Sequence, residues 1–138
     1  MKGIASGSGV RVEAGGESLI SSAGATMLLQ TAVASGLAAG LSCALAPWRP
    51  GRSMHDPGKA VLDVAVAIAL GGDCLADVAV LRAQPEIFGA VASDPTISGL
   101  VDALAQGPVR AIDAIRIARA TGASMALHRQ TESDVQCA

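Results

Sequence analysis

Eight acidic side chains lie in the helical stretch between residues 56 and 113: Asp56, Asp63, Asp73, Asp77, Glu86, Asp94, Asp102 and Asp113. Metal-dependent phosphoryl transfer would need several of them to converge from separate elements on two magnesium ions about 4 Å apart. Their spacing argues for local duties instead. Asp56, Asp73 and Asp94 each stand where a helix starts, and Asp63 lies four residues after Lys59, within reach of an ion pair. Asp73 and Asp77 are four apart and share a helix face, which reads as a solvated acidic edge. No catalytic residue is therefore expected in this chain.

Nucleophilic chemistry has no better support. Ser42-Cys43 and Asp73-Cys74 have no histidine near them in sequence, and no nucleophile elbow is present. The glycine-rich start, Gly3 to Gly9, lacks a P-loop lysine. Cys43, Cys74 and Cys137 are odd in number, widely spaced and remote from His55 and His128, so neither a zinc site nor a disulfide framework is expected. Reduced, mostly buried thiols are predicted, with no metal and no cofactor.

The cationic and hydroxylic side chains point elsewhere. Between Pro108 and Thr131, Arg110, Arg116, Arg119 and Arg129 face only Asp113, a local surplus of three positive charges in a chain whose net charge is −2. Arg110, Arg116 and Arg119 are candidate phosphate contacts, with Arg116 and Arg119 on one helix face. Further upstream, Cys74–Ala83, a linker and Asp94–Ala105 have the order of a helix-turn-helix. This would put Thr96 and Ser98 in the first turns of a recognition helix, where side chains reach bases or phosphates. The linker is longer than the usual three or four residues, and the second helix carries neither Arg nor Lys. Trp48, between Pro47 and Arg49, is expected to plug a helix end.

These residues need a helical frame, and composition supplies one. Half the chain is apolar, mostly Ala, Val and Leu, with one Trp, one Phe and no Tyr, which favours closely packed helices over aromatic-rich sheets. A stacking surface for single-stranded nucleic acid is not expected, since that mode needs several aromatic faces. No secretory signal is seen. The longest apolar run, Ala60 to Gly72, contains Asp63 and is shorter than the ~20 residues of a membrane span. A cytoplasmic location with no membrane and no small-molecule substrate is expected.

The pattern divides into elements as follows. Residues 1–9 are Ser/Gly-rich and expected to be disordered. Val10–Ala14 and Ser18–Ser21, around Gly15-Gly16, read as a small hairpin. Ala25–Ser35 reads as a helix with Leu28, Leu29, Ala32 and Val33 along one stripe, and Leu37, Leu41 and Leu45 mark a second. Ala46–Met54 is a connector held open by its prolines. Asp56 and Pro57 start a helix to Leu70 that is apolar on nearly all sides and expected to be central. Gly71-Gly72 ends it, and Asp73 is placed as the cap of Cys74–Ala83. After Asp94–Ala105, with Ile97, Leu100, Val101 and Leu104 in register, Gly107-Pro108 leads into Val109–Ala120, where Ile112 and Ile115 should point inward. Thr121-Gly122 is read as its end and residues 123–138 as a polar, disordered tail. The fold class is mostly α: a small helical bundle with a helix-turn-helix-like segment and a short N-terminal β-hairpin, its main domain covering 10–122.

Five blocks, in order, carry a family resemblance: Leu19-Ile20-Ser21-Ser22-Ala23-Gly24, Ala46-Pro47-Trp48-Arg49, His55-Asp56-Pro57-Gly58-Lys59, Leu70-Gly71-Gly72-Asp73-Cys74-Leu75-Ala76-Asp77 and Ala92-Ser93-Asp94-Pro95-Thr96-Ile97-Ser98. Each is weak alone; the ordered set resembles the N-terminal region of one group of insertion-sequence transposases of the DDE type. In those relatives the helical region precedes an RNase H-like catalytic domain, whose three acidic residues bind a divalent metal such as magnesium to cut and join DNA. The resemblance implies that this chain is an N-terminal fragment lacking that domain, with transposon-end DNA and a full-length transposase as its partners. Two departures stand out. Gly99 occupies a position where family members commonly carry arginine, and the sequence after Thr121 no longer resembles the family. A helical protein-interaction module and a non-functional remnant reading frame are the alternatives.

Overall fold

A computed structural model describes residues 6–7, 10–11 and 19–136, with side chains placed over 23–132. Among the described residues, two antiparallel strands of two residues each, β1 (Ser6–Gly7) and β2 (Val10–Arg11), precede seven α-helices. The helices are α1 (Leu19–Ala34), α2 (Leu37–Ala44), α3 (Pro57–Ala69), α4 (Ala79–Arg82), α5 (Pro85–Phe88), α6 (Asp94–Ala105) and α7 (Pro108–Gln136). The expectation of a mostly α protein holds. The hairpin is shifted: Ser6–Gly7 pairs with Val10–Arg11, and Leu19–Ser21 of the expected return strand Ser18–Ser21 begins α1, while the part of the expected hairpin at residues 12–18 lies outside the described residues. Most of the N-terminal segment expected to be disordered lies outside the described residues.

Helix boundaries follow local chemistry wherever a cap is strong. Gly36, at φ +83°, lets the chain bend by 67° between α1 and α2. Asp56 caps α3, its carboxylate accepting the Lys59 N–H at 3.0 Å and the Ser42 hydroxyl, and Pro57 takes the first helical position. The end of α3 is a Schellman closure. Gly71, at φ +97°, donates its N–H to Ile68 O at 2.9 Å, and Gly72 donates to Ala67 O at 3.0 Å. The next segment differs from expectation. Leu75–Val78 is a 3-10 turn capped from inside by Asp77, whose Oδ2 accepts the N–H groups of Asp73 (2.8 Å) and Cys74 (3.0 Å). Asp73 is thus a donor to the cap and not the cap itself.

Glycines bring two helices close to the backbone of α2. Gly58 in the first turn of α3 lies against the backbone of α2, where a Cβ would overlap the nitrogen of Ser42 and the carbonyl carbon of Leu41. On the other side of α2, Gly122 of α7 meets Leu37, a Cβ there falling 3.2 Å from Leu37 Cα, and Ala118 packs on Gly40. Helix α2 is therefore clasped between α3 and α7. This explains why α7 runs through Thr121-Gly122 to Gln136, where an end and a polar tail were expected. The glycine lost in intrinsic helix propensity is recovered in close approach to α2. At the far end, the Arg129 guanidinium donates to the carbonyl of Ala34, tying α7 to the end of α1.

The same approach decides which side chains face the core. On α7 the buried residues are Ala111, Ala118 and Gly122, while Ile112 is exposed and Ile115 half-buried. On α1 they are Ala25 and Ala32, while Leu28 and Val33 are exposed. Leu28 and Val33 of one predicted stripe and Ile112 of the other are turned outward, while Leu29 and Ile115 pack against the edge of the core. Helix α3 is one-faced, burying Ala60, Leu62, Asp63, Val66 and Ala67 and exposing Ala65, Ile68 and Ala69. Leu45, Leu81, Ile97 and Val78 form the centre of the core with Phe88 beside them. Cys43 and Cys74, expected to be mostly buried, are exposed free thiols. Arg82 straps the short helices to α6, donating to Ala92 O at 2.8 Å and pairing with Asp94 at 2.7 Å.

Asp63 is the buried charge of this core, 2% exposed, with Lys59 Nζ at 2.6 Å from its Oδ2. Burial raises its pKa from 3.8, outweighing the hydrogen bond and charge of Lys59 and the charge of His55. The folded state therefore holds this proton more tightly than the unfolded chain. Its contribution to stability is full below pH 3.8 and declines as pH rises through the raised pKa. Asp63→Asn should melt at an equal or higher temperature than the parent at pH 7, and the gap should close as pH falls toward 4. Melting curves at several pH values that stay parallel would refute this. Gly58→Ala should cost upwards of about 3 kcal/mol in chemical denaturation, on the scale of a forced backbone shift. Gly99→Ala, where a Cβ meets nothing within 4 Å, should stabilise α6 by up to about 1 kcal/mol.

Candidate nucleic-acid interface

Trp48 stands where two clefts meet. It ends a 3-10 turn, Ala46–Trp48, with Pro47 inside the turn and Pro50 just after it. The indole is fixed because α2 ends at Ala44 with Leu45 fully buried, and α3 starts at the cap formed by Asp56. Between these anchors the connector is folded back by several hydrogen bonds. Trp48 N–H donates to Leu45 O at 3.0 Å, and Ser53 N–H donates to Pro50 O at 2.9 Å. The Arg110 guanidinium of α7 lies over the indole, 5.7 Å from the ring centroid, in a cation–π arrangement.

Two clefts share Trp48, Pro50 and Ala103 as a common wall. The first, about 300 Å³, is predominantly apolar and runs between the connector, the start of α3 and the α6 stripe Thr96, Gly99, Leu100 and Ala103. Ser53, His55 and Asp56 provide its other polar groups. The second, about 420 Å³, is lined by Arg49, Arg110 and Gln106 together with the shared wall. One apolar cleft and one cationic cleft thus meet at a single aromatic side chain.

The candidate residues from the sequence are distributed unevenly about this hub. Thr96 lines the first cleft and Arg110 the second, so the structure brings these two to either side of Trp48. Ser98, two residues on from Thr96, lies about half a turn around α6, exposed and outside the cleft. Arg116 and Arg119 are exposed on α7 but turned away from Arg110, with Arg119 about half a turn around the helix. Arg116 is 3.7 Å from Asp113, an exposed pair of little energetic weight. The three arginines therefore do not form one clamp. The helix-turn-helix-like segment is also looser than its sequence suggests: its first part is a 3-10 turn followed by the single turn of α4, and α5 sits inside the linker.

Arg49 was missed as a candidate. Its signal was available in the run Pro47-Trp48-Arg49-Pro50, where flanking prolines restrict the backbone and hold a guanidinium beside an indole. The acids are mostly engaged locally: Asp56 and Asp77 in caps, Asp63 with Lys59, Asp94 with Arg82 and Asp113 with Arg116. Asp73, Cys74 and Asp77 each place one potential ligand atom within 4.8 Å of the others. There Asp77 Oδ2 accepts the Cys74 thiol at 3.3 Å besides two backbone N–H groups. Those hydrogen bonds hold the Asp77 carboxyl below its ordinary pKa, and they define a helix cap.

Compared with known proteins, residues 2–133 match the family model described as transposase DDE domain group 1, so the likeness continues past Thr121, where it was expected to stop. No curated protein and no solved structure matches the chain. Among the described residues no single helix is long and apolar enough to cross a membrane.

Removing the guanidinium over the indole tests the geometry of the hub. Arg110→Ala should cost about 0.5–1 kcal/mol of stability and change the emission of Trp48, the chain's one tryptophan. An unaltered emission spectrum would contradict the arrangement.

Proposed function

Because this chain belongs to the transposase DDE domain group 1 family, we propose that it contributes DNA engagement to transposition and no strand cutting or joining of its own. The observation that carries the reading is the pairing of Arg49 and Arg110 in one cleft beside Trp48. Two guanidinium groups held by separate elements on an exposed surface are suited to neighbouring phosphates of a DNA backbone. The local engagement of Asp56, Asp63, Asp77, Asp94 and Asp113 in caps and ion pairs supports the second half of the proposal. Each would have to leave a structural role to hold a catalytic metal. In this reading the chain corresponds to the helical region that precedes the RNase H-like domain in the transposases it resembles. Transposon-end DNA is the substrate.

A second reading has its own observation. Met27 and Val33 on α1, and Ile117 and Leu127 on α7, are each more than 60% exposed. Large apolar side chains at such exposure favour a protein partner, here a full-length transposase that the fragment would bind and inhibit.

Anisotropy of a labelled mixed-sequence duplex, titrated at several salt concentrations, separates the two. DNA engagement predicts a log–log salt slope that weakens by about one unit in Arg49→Ala and again in Arg110→Ala. Arg116→Ala and Arg119→Ala should change it less. A slope indifferent to Arg49 and Arg110 would sink the DNA reading, and nicking of supercoiled plasmid with magnesium present would sink the non-catalytic one.

A further inference from the structure

We propose that the paired clefts at Trp48 form a receptor for one unpaired nucleotide, its base in the apolar cleft and its phosphate between Arg49 and Arg110. The inference rests on the DNA-engaging reading above and names what that surface selects. Backbone phosphates alone would be served by the cationic cleft, and they give no role to the apolar cleft beside it. That cleft has the size of a small ligand site, about 300 Å³, at the low end of the usual range of roughly 300–1,000 Å³. Its wall is an indole, the side chain best suited to a planar π-face, and Leu100, Pro50 and Pro57 complete an apolar lining. Thr96 and His55 add a hydroxyl and an imidazole that can meet the hydrogen-bonding edge of a base.

The two clefts also have the chemistry of a nucleotide in the right order. A nucleotide joins a flat, weakly polar ring to an anion through a sugar. Here an apolar cleft joins a cationic one across Trp48, Pro50 and Ala103, which line both. Arg110 already lies over the indole, so its guanidinium is oriented at the boundary where base gives way to phosphate. A run of stacked bases would need several aromatic faces. A single extrahelical base needs one, and it is cheapest to extrude where it is already unpaired.

The same ligand chemistry is offered by a bulged base in duplex DNA and by a free nucleoside monophosphate. Three probes distinguish them on the full chain: a duplex with one bulged adenine, the same duplex with an abasic bulge, and free dAMP. Trp48 emission and anisotropy of the labelled duplexes are the readouts. The expected result is quenching of Trp48 by the adenine bulge and at least fivefold tighter binding of it than of the abasic bulge. Gly99→Leu fills the cleft mouth from a position where a Cβ meets nothing within 4 Å, and it should abolish that preference. Its helical circular dichroism and melting point report that the fold is intact. Equal affinity for the two bulges, with duplex binding intact, would overturn the nucleotide receptor and leave the DNA reading standing. Quenching by micromolar dAMP without measurable DNA binding would support the receptor, assign it to a free nucleotide and overturn the DNA reading. No response to any of the three would overturn both.

Discussion

Everything in this bundle depends on how closely two helices approach α2. On one side the backbone of Gly58 touches that of Leu41 and Ser42; on the other, Ala118 and Gly122 touch Gly40 and Leu37. Such contacts bring many atoms into van der Waals range while burying little area per residue, which is how a chain with one Trp and one Phe can still build a dense interior. They also make the fold intolerant in a specific way. A leucine in this core can be replaced by another apolar residue of like volume, but no side chain can replace the hydrogen of Gly58. The Asp56 cap reinforces the same junction, because its carboxylate receives Ser42 from α2 as well as the Lys59 N–H of α3.

That junction fixes the surface proposed to act. The connector carrying Trp48 and Arg49 leaves α2 next to the contact and re-enters at the capped start of α3, so both ends are held at one place. Its freedom is reduced further by Pro47 and Pro50. What remains to be positioned comes from α6 and α7, and Gly107-Pro108 sets the break between them, so that Ala103 and Arg110 reach Trp48 from opposite sides of one corner. Exposed residues on a connector usually lose entropy when they bind. Here much of that cost has been met in folding.

Local chemistry made several features legible before any tertiary contact was known. Asp56-Pro57, Gly71-Gly72 and Asp94-Pro95 mark boundaries because a cap, a positive φ or a missing N–H acts within a few residues, and α3 and α6 start and stop close to where they were expected. The family too could be read from the order of its blocks. Features set by distant contacts could not be. Gly122 reads as a helix end until Leu37 is found against it, and Ile112 reads as core until Ala111 and Ala118 are seen to take that face. The site divides in the same way. Thr96 and Arg110 were identifiable by type, but their common relation to Trp48 arises from a corner between α6 and α7. Ser98, Arg116 and Arg119 share their chemistry and not their place.

A net charge of −2 is no obstacle to the proposed role, because potential at a surface is set by what lies within about 10 Å at ordinary ionic strength. Several of the acids spend their charge internally. Asp56 faces the positive end of α3, Asp63 is buried with Lys59, and Asp94 is bound to Arg82. Arg49 and Arg110 have no acidic side chain among the residues lining their cleft. The sum over the sequence therefore understates the positive character of this one surface, where the Arg110 guanidinium meets an indole, Arg49 lines the same cleft, and neither has an anion in the cleft lining.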